Sequence, residues 1–366
     1  MTPSQTAPLP EAPASPAAVG APLRPVRVAV VGLDRAGIIH AALAAATSDC
    51  AVVGLADGRA ASRRRAHGVG FAAPVFDRAE RMIAKARPDA LFVCVPHDER
   101  ARTIRLGLEA GLPVLADRPL ARTLGEAEAL VLLARERALP LACAHVLPFH
   151  PVFVRAREIV ASGALGTPRQ ARCSVYLSNV FSVARQTVAA PPDSAGGVLA
   201  HETLDALFFV MELLGAPSAV RAKANRLYGP YEDEVHATLV LPSGVAVGLD
   251  ASWSVPGYPT SATVLELEGD NGKLLVSDDA LEIDMAESRG EHRAGHTRLG
   301  LADLPPQARF DLDGDATGQS VLAFLAWVAG GEPPCHRAER VLRSLRVLDA
   351  LYRSIAHGSS EIAVSA

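Results

Sequence analysis

The sequence predicts an α/β protein in two parts: a doubly wound parallel sheet at the N-terminal end, then an α+β domain on an open, mostly antiparallel sheet. Three observations predict it. Short apolar runs at 28–31, 51–56, 90–95 and 140–144 alternate with stretches of helical periodicity, as parallel strands buried on both faces do when helices connect them. The first run ends on Gly32 and passes into Ile38, Ile39, Ala42, Leu43 and Ala46 at helical spacing. A strand entering a helix through glycine brings backbone N–H groups and a helix N-terminus up to a pyrophosphate, the device of the Rossmann fold. The second half carries strand-like runs joined by the hairpin turns Pro242-Ser243-Gly244 and Asp270-Asn271-Gly272.

A chain of 366 residues favours two domains, and 49% hydrophobic with 21% charged residues suits a globular protein with a large core. A net charge of −4 gives no basic footprint for nucleic acid, and no apolar segment reaches the length of a membrane span. The five cysteines are scattered without a CxxC, which reads as reduced thiols in a cytoplasmic protein. Residues 1–24, rich in Pro and Ala, read as a disordered tail without the basic start of a secretory signal. The expected division is therefore 1–24 tail, 25–146 dinucleotide-binding domain and 147–366 substrate and oligomerisation domain.

In the first domain, Gly32 and Gly37 are the outer two glycines of the fingerprint and Asp34 holds the middle place. The turn Gly32, Asp34, Arg35, Ala36 and Gly37 is the candidate pyrophosphate site, with a carboxylate at Asp34 expected to repel the phosphate. Asp57 ends the second strand, where an acidic residue takes the adenosine ribose hydroxyls and favours NAD over NADP; the other reading is a cap for the following helix. Arg59 and Arg63 bear on the same choice, since an arginine there can hold a 2′-phosphate. A third strand is expected at 74–76, a helix at 78–86, a helix around 104–110 closing at Gly111, a fifth strand from Val114 and a helix at 124–137. Asp34, Asp57, His97, Arg118 and His145 all fall at the carboxyl ends of strands, where such sheets bind ligands.

The order GLDRAG, VPHDER, VLADRPLA and AHVLPFHP resembles the glucose-fructose oxidoreductase, inositol dehydrogenase and rhizopine-catabolism family, over nearly everything after Arg24. The resemblance implies NAD, with NADP as the alternative, and hydride transfer at a hydroxyl-bearing carbon of a sugar, cyclitol or related small molecule. It places Pro96, His97, Asp117, Pro119 and His145 beside the cofactor. Where the family has Glu-Lys-Pro, its lysine contacting substrate, this chain has Asp117-Arg118-Pro119; Arg100 stands where the family often has histidine.

In the second domain, a helix is expected at 149–162, strands at 169–177, 219–226, 237–241, 246–253, 263–268 and 273–276, and a last helix at 337–356. Residues 299–306 read as a loop without a chemical signal. The segment AGGVLAHETLD carries the family's Asp and His in exchanged order, as His201 and Asp205. Four residues apart on one helix, the two should be neighbours, either a general acid/base pair or a surface pair; a metal would need a third ligand, and none is assigned. Arg118 keeps a positive charge but cannot titrate near neutrality. Asp205 is a base only if burial raises its pKa; if the charges around it prevail, His201 is the base and Asp205 its orienting partner. Trp253, Tyr176 and Asn179 are weaker candidates for the pocket wall.

The expected function is thus an NAD(P)-dependent oxidoreductase with Arg118, His201 and Asp205 as catalytic residues. The alternatives are a non-catalytic binding or regulatory protein, or a lyase or hydrolase that kept the fold. The expected partners are a small-molecule substrate and a second copy of the chain through the C-terminal sheet, with no nucleic acid and no membrane.

Overall fold

The computed structural model describes residues 24–178, 196–228, 230–304 and 315–365. The expected tail, save Arg24, and Asn179 lie outside them. Arg24 itself is paired with Asp89 at 3.0 Å.

The first sheet has β1 (Val26–Val31), β2 (Cys50–Ala56), β3 (Val75–Phe76), β4 (Ala90–Val93), β5 (Val114–Ala116) and β6 (Leu141–Cys143). They lie in the order β3-β2-β1-β4-β5-β6, each pair parallel. The order reverses between β1 and β4, and the crevice at that reversal is where a doubly wound sheet takes its ligand. Connecting helices are α1 (Arg35–Ala45), α2 (Ala60–Val69), α3 (Ala79–Ala86), α4 (His97–Glu109) and α5 (Leu124–Glu136). α5 starts on a capping box: Thr123 accepts from the Glu126 amide, and Glu126 accepts from the Thr123 amide. α4 is a full turn and more longer than its apolar spacing indicated, because Asp98 and Glu99 occupy its first turn, where acidic side chains favour the helix dipole.

After Leu147–Phe149, a 3-10 turn, Pro151 opens α6 (Pro151–Ala161); proline is suited to a first helical position, so the expected single helix divides there. The second sheet contains β7 (Pro168–Tyr176), β8 (Ala219–Asn225), β9 (Glu234–Val240), β10 (Ala246–Ser252), β11 (Ala262–Gly269), β12 (Gly272–Val276), β13 (Ala280–Met285), β14 (Gly295–Gly300) and β15 (Ile362–Ala363). Their order is β14-β13-β12-β11-β7-β10-β9-β8-β15, antiparallel except where β7 meets β10. β9 shows why one face turns inward: Val235, Ala237 and Leu239 are buried while His236 and Thr238 between them are exposed. The expected loop at 299–306 begins inside β14 and continues as a 3-10 turn over Leu301–Asp303.

The helices bridging the two sheets position the site. α7 (Val198–His201) and α8 (Thr203–Leu214) lie at the junction. α9 (Asp315–Val328), late in the chain, returns to the first sheet, where Phe324 meets Phe92 edge to face at 6.0 Å. α10 (Ala338–Ala356) serves both cores: Val341, Leu342 and Leu345 pack with the first sheet's apolar cluster, Val347 and Leu351 with the second's. All five cysteines carry free thiols, and Cys94 and Cys143 are buried as their apolar runs suggested. Among the described residues no helix is long and apolar enough to cross a membrane.

Candidate active site

The glycine turn sits at the mouth of the crevice. Gly32 has φ +91°, and a Cβ there would stand 2.4 Å from the Cys94 carbonyl oxygen. A Cβ on Gly37 would stand 1.8 Å from the Gly32 carbonyl. These two positions therefore admit only glycine, and they bring β1, α1 and the end of β4 into close approach. Asp34 is the N-cap of α1 but makes no side-chain capping bond, and a helix N-terminus of this kind favours an anion. A dinucleotide's pyrophosphate fits this turn on that account.

The Asp34 carboxylate is not the bare charge the sequence suggested. It meets Arg59 Nη1 at 2.7 Å and Arg65 at 3.3 Å. Asp57 is buried and holds the other side of the same guanidinium: Arg59 Nε and Nη2 donate to its two oxygens at 3.1 and 3.0 Å. The Leu33 and Arg59 amides also donate to Asp57, each at 2.8 Å. Burial alone would raise the Asp57 pKa; Arg59 and the two amides outweigh it and hold the carboxyl below the usual range. Arg63 is committed elsewhere, donating to the Asp57 and Gly58 carbonyls at 2.8 Å. A cavity of about 340 Å³ opens beside this corner, with Gly32, Asp57, Arg59, Asp77, Arg78 and Pro96 on its wall.

The next strand ends supply a second group. Arg100, 3% exposed, reaches from α4 to the Pro119 and Val95 carbonyls at 2.9 Å and to Asp117 at 3.4 Å. It ties the ends of β4 and β5 together, and Asp117 fixes the turn further by accepting from the Arg118 amide at 3.0 Å. The Arg118–Pro119 peptide is cis. From this turn the Arg118 side chain crosses to α8 and meets Asp205 at 3.1 Å. The other Asp205 oxygen is 2.6 Å from His145 Nδ1. His145 is 1% exposed and stacks on Phe208 at 4.6 Å, so it lies under Asp205 rather than at the cofactor crevice expected of it.

The expected pairing of His201 with Asp205 is not formed. Glu202, at φ −104° and ψ −30°, lies between α7 and α8, and Asp205 is engaged by Arg118 and His145. His201 instead stacks on His97 with centroids 4.9 Å apart, and it lies 6.4 Å from the Trp253 ring. Its ring hydrogen-bonds the Gly196 backbone, while its buried Nε2 makes no hydrogen bond. The paired glycines of the preceding segment are required here: a Cβ on Gly196 would stand 2.1 Å from the Tyr352 hydroxyl, and one on Gly197 2.1 Å from the Glu232 carbonyl. Glu232 anchors the start of α7, accepting from the Gly197 amide at 2.8 Å and the Tyr352 hydroxyl at 2.7 Å. Asp233 holds Trp253 through its indole N–H at 2.9 Å.

The two groups differ in charge. Burial pushes the Asp205 carboxyl up, but Arg118 and His145 overcome it and keep the pKa below the usual range, so Asp205 is an anion at neutral pH. Asp205 in turn raises the Arg118 pKa. Burial pushes His97 down to about 4 and lowers His201 as well, so both rings are neutral near pH 7. Glu232, Asp233 and Tyr352 are the contributors that the motifs did not single out, and Arg100 was noted only for standing where the family often has histidine. An aromatic before the last helix's end and two acidic residues just before a strand carry no chemical pattern of their own.

Residues 26–145 match the oxidoreductase family with an NAD-binding Rossmann fold, and residues 153–275 match the GFO/IDH/MocA C-terminal domain. The chain belongs to the GFO/IDH/MocA oxidoreductase family. It is 27% identical over 314 residues to D-apiose dehydrogenase of Paraburkholderia graminis, covering 81% of this chain and 79% of that one. It is 24% identical over 344 residues to inositol 2-dehydrogenase of Rhizobium meliloti, covering 90% and 97%. The fold of levoglucosan dehydrogenase in complex with NADH superposes with a TM-score of 0.82 at 18% identity, covering 93% of this chain and 100% of that one. As a GFO/IDH/MocA protein the chain is an oxidoreductase with an NAD-binding Rossmann domain.

Proposed function

We propose that this protein is an NAD-dependent dehydrogenase or reductase acting on a hydroxyl-bearing carbon of a sugar, cyclitol or similar polyol. Residues 25–146 hold the cofactor and residues 147–366 close over the substrate. Gly32 and the first turn of α1 (Arg35, Ala36, Gly37) take the pyrophosphate, Asp57 the adenosine ribose, and Pro96 and His97 the nicotinamide end. NAD, when bound, supplies the two-electron acceptor or donor for the alcohol–carbonyl pair.

Arg118 binds the reacting oxygen and stabilises negative charge on it; Asp205 and His145 hold the guanidinium in place. Arg118 cannot take the hydroxyl proton, and Asp205 has both oxygens engaged. His201 takes it on Nε2. That unpartnered, buried acceptor on a neutral ring is the observation that carries the reading. The assignment follows the case in which the charges around Asp205 prevail, but Asp205 orients Arg118 and His145, not His201.

Support for a polyol substrate comes from the activities named for the relatives, on D-apiose, D-xylose and inositol. The test is calorimetric titration of the purified protein with NAD and NADH, then a panel of aldoses and cyclitols followed by nicotinamide absorbance. Tight NAD(H) binding with turnover of at least one class is expected; binding of neither nucleotide would overturn the proposal. We also propose cytoplasmic location and pairing of two copies through the outer face of the second sheet. That face carries a groove of about 1020 Å³ lined by Arg172, His236, Asp250, Glu268 and Lys273. Light scattering at low and high salt tests the pairing; a monomer at both overturns it.

A further inference from the structure

The corner formed by Asp34, Arg59 and Asp57 has no counterpart in the three-glycine fingerprint, and its geometry assigns Asp34 a function. We propose that Asp34 sets the preference for NAD over NADP by restraining Arg59. The inference rests on the proposed cofactor site.

Arg59 is placed by the backbone. It is the N-cap of α2, and its amide donates to Asp57 at 2.8 Å. Its Nε and Nη2 are spent on Asp57, which leaves Nη1 as the end that can turn outward, and Asp34 holds Nη1 at 2.7 Å. The guanidinium is half exposed, at 49%, on the rim of the cavity beside Asp57 and Gly58. An arginine at this rim is the residue type that clamps a 2′-phosphate. Here its charge is divided between two carboxylates, and the same carboxylates face any incoming phosphate. Arg63, the other arginine near the ribose, donates to backbone carbonyls and is not available. Arg65 reaches only the outer oxygen of Asp34, at 3.3 Å. Removing the Asp34 charge therefore does two things: it releases Arg59 Nη1 and deletes one of the two repelling charges.

A second account of Asp34 makes a different prediction. If its carboxylate acted on the pyrophosphate, removing the charge would tighten NAD and NADP alike, since both carry that group. The discriminating measurement is the ratio of the two dissociation constants. Titration calorimetry of the wild type, Asp34→Asn, Asp34→Ala, Arg59→Ala and the Asp34→Asn/Arg59→Ala double variant gives it without any substrate, and thermal melts confirm that each is folded.

In Asp34→Asn and Asp34→Ala, NADP binding should tighten about tenfold or more, while NAD changes by less than about threefold; one charge-assisted contact is worth that much. The double variant should lose the gain. Equal tightening of both nucleotides, an unchanged ratio, or a gain that survives Arg59→Ala would each overturn the inference. Absence of NAD and NADP binding to the wild type would overturn the cofactor site itself, a separate result.

Discussion

Two clusters meet in the cleft and differ in how completely their polar atoms are satisfied. Arg118, Asp205 and His145 form a charged group in which both carboxylate oxygens have partners, at 3.1 and 2.6 Å. His97 and His201 form a neutral stacked pair with the Trp253 ring tilted beside it at 6.4 Å, and one buried imidazole nitrogen is left without a hydrogen bond. A satisfied buried pair is rigid and poor at exchanging protons, because any change of charge leaves a partner stranded. An unsatisfied acceptor on a neutral ring costs stability but is ready to receive a proton. The difference separates orientation from proton transfer within one site.

The sharpest way to break this division is His201→Asn. If His201 carries the proton, turnover of a confirmed substrate should fall by roughly 100- to 10,000-fold with little change in NAD binding. The wild-type rate should also show an acid limb below the ordinary histidine value, since burial lowers the His201 pKa and protonation removes the acceptor. A loss under tenfold, measured by steady-state kinetics, would return the pair to a structural role.

Asp205→Asn tests the other cluster through stability. Removing one charge from a buried pair strands its partners, and a loss of about 3 kcal/mol is expected from urea unfolding. The pH dependence has a defined sign. The folded-state pKa of Asp205 lies below its unfolded value near 3.9, so its contribution is present above that value and is lost as pH falls through the folded one. The variant should therefore be less stable at neutral pH and lack that part of the loss in acid.

His336 extends the comparison to a buried imidazole outside both clusters. It is fully buried against Phe149, neither ring nitrogen makes a well-formed hydrogen bond, and burial pushes its pKa down to about 3. Here the folded value lies below the unfolded one for a base, so the unfolded chain binds more protons between about pH 6.5 and 3, and stability falls as pH drops through that window. The group should cost about 2 kcal/mol by pH 5. His336→Leu should flatten the slope of the urea midpoint between pH 7 and 5; an unchanged slope would assign it to other groups.

The parallel sheet was legible because buried strands and connecting helices leave a pattern that composition cannot hide, and Gly32 and Gly37 stand where sterics allow nothing else. The exchange of His and Asp in AGGVLAHETLD was legible as types but not as partners. Four-residue spacing brings two side chains within reach but does not choose their partners: Arg118 and His145 take up Asp205, and His97 stacks on His201. The His145–Asp205 contact joins residues sixty apart, and Asp34–Arg59 joins the glycine turn to the cap of the next helix, α2. Such pairings are set by tertiary geometry, which no local pattern records. β14 was missed because its apolar residues are few, Leu299 alone in GHTRLG, whereas β13 and α9 carry readable apolar patterns in ALEIDM and VLAFLAWV.

The smallest expected effect separates a ring from its nitrogens. His97→Phe keeps an aromatic plane against His201 but removes both nitrogens. Stacking on a neutral ring is what the geometry shows, at 4.9 Å and an interplanar angle of 22°. His97 itself is a poor proton acceptor, because burial has pushed it down to about 4. If its task is to hold the His201 ring, His97→Phe should keep turnover within about tenfold of the wild type, less than the loss expected of His201→Asn. His97→Ala, which removes the plane, should cost more than His97→Phe, and its loss should fall on kcat more than on KM because it loosens the proton acceptor. A His97→Phe enzyme as impaired as His201→Asn would show that the two imidazoles share the proton, and the neutral cluster would then be a relay of two rings.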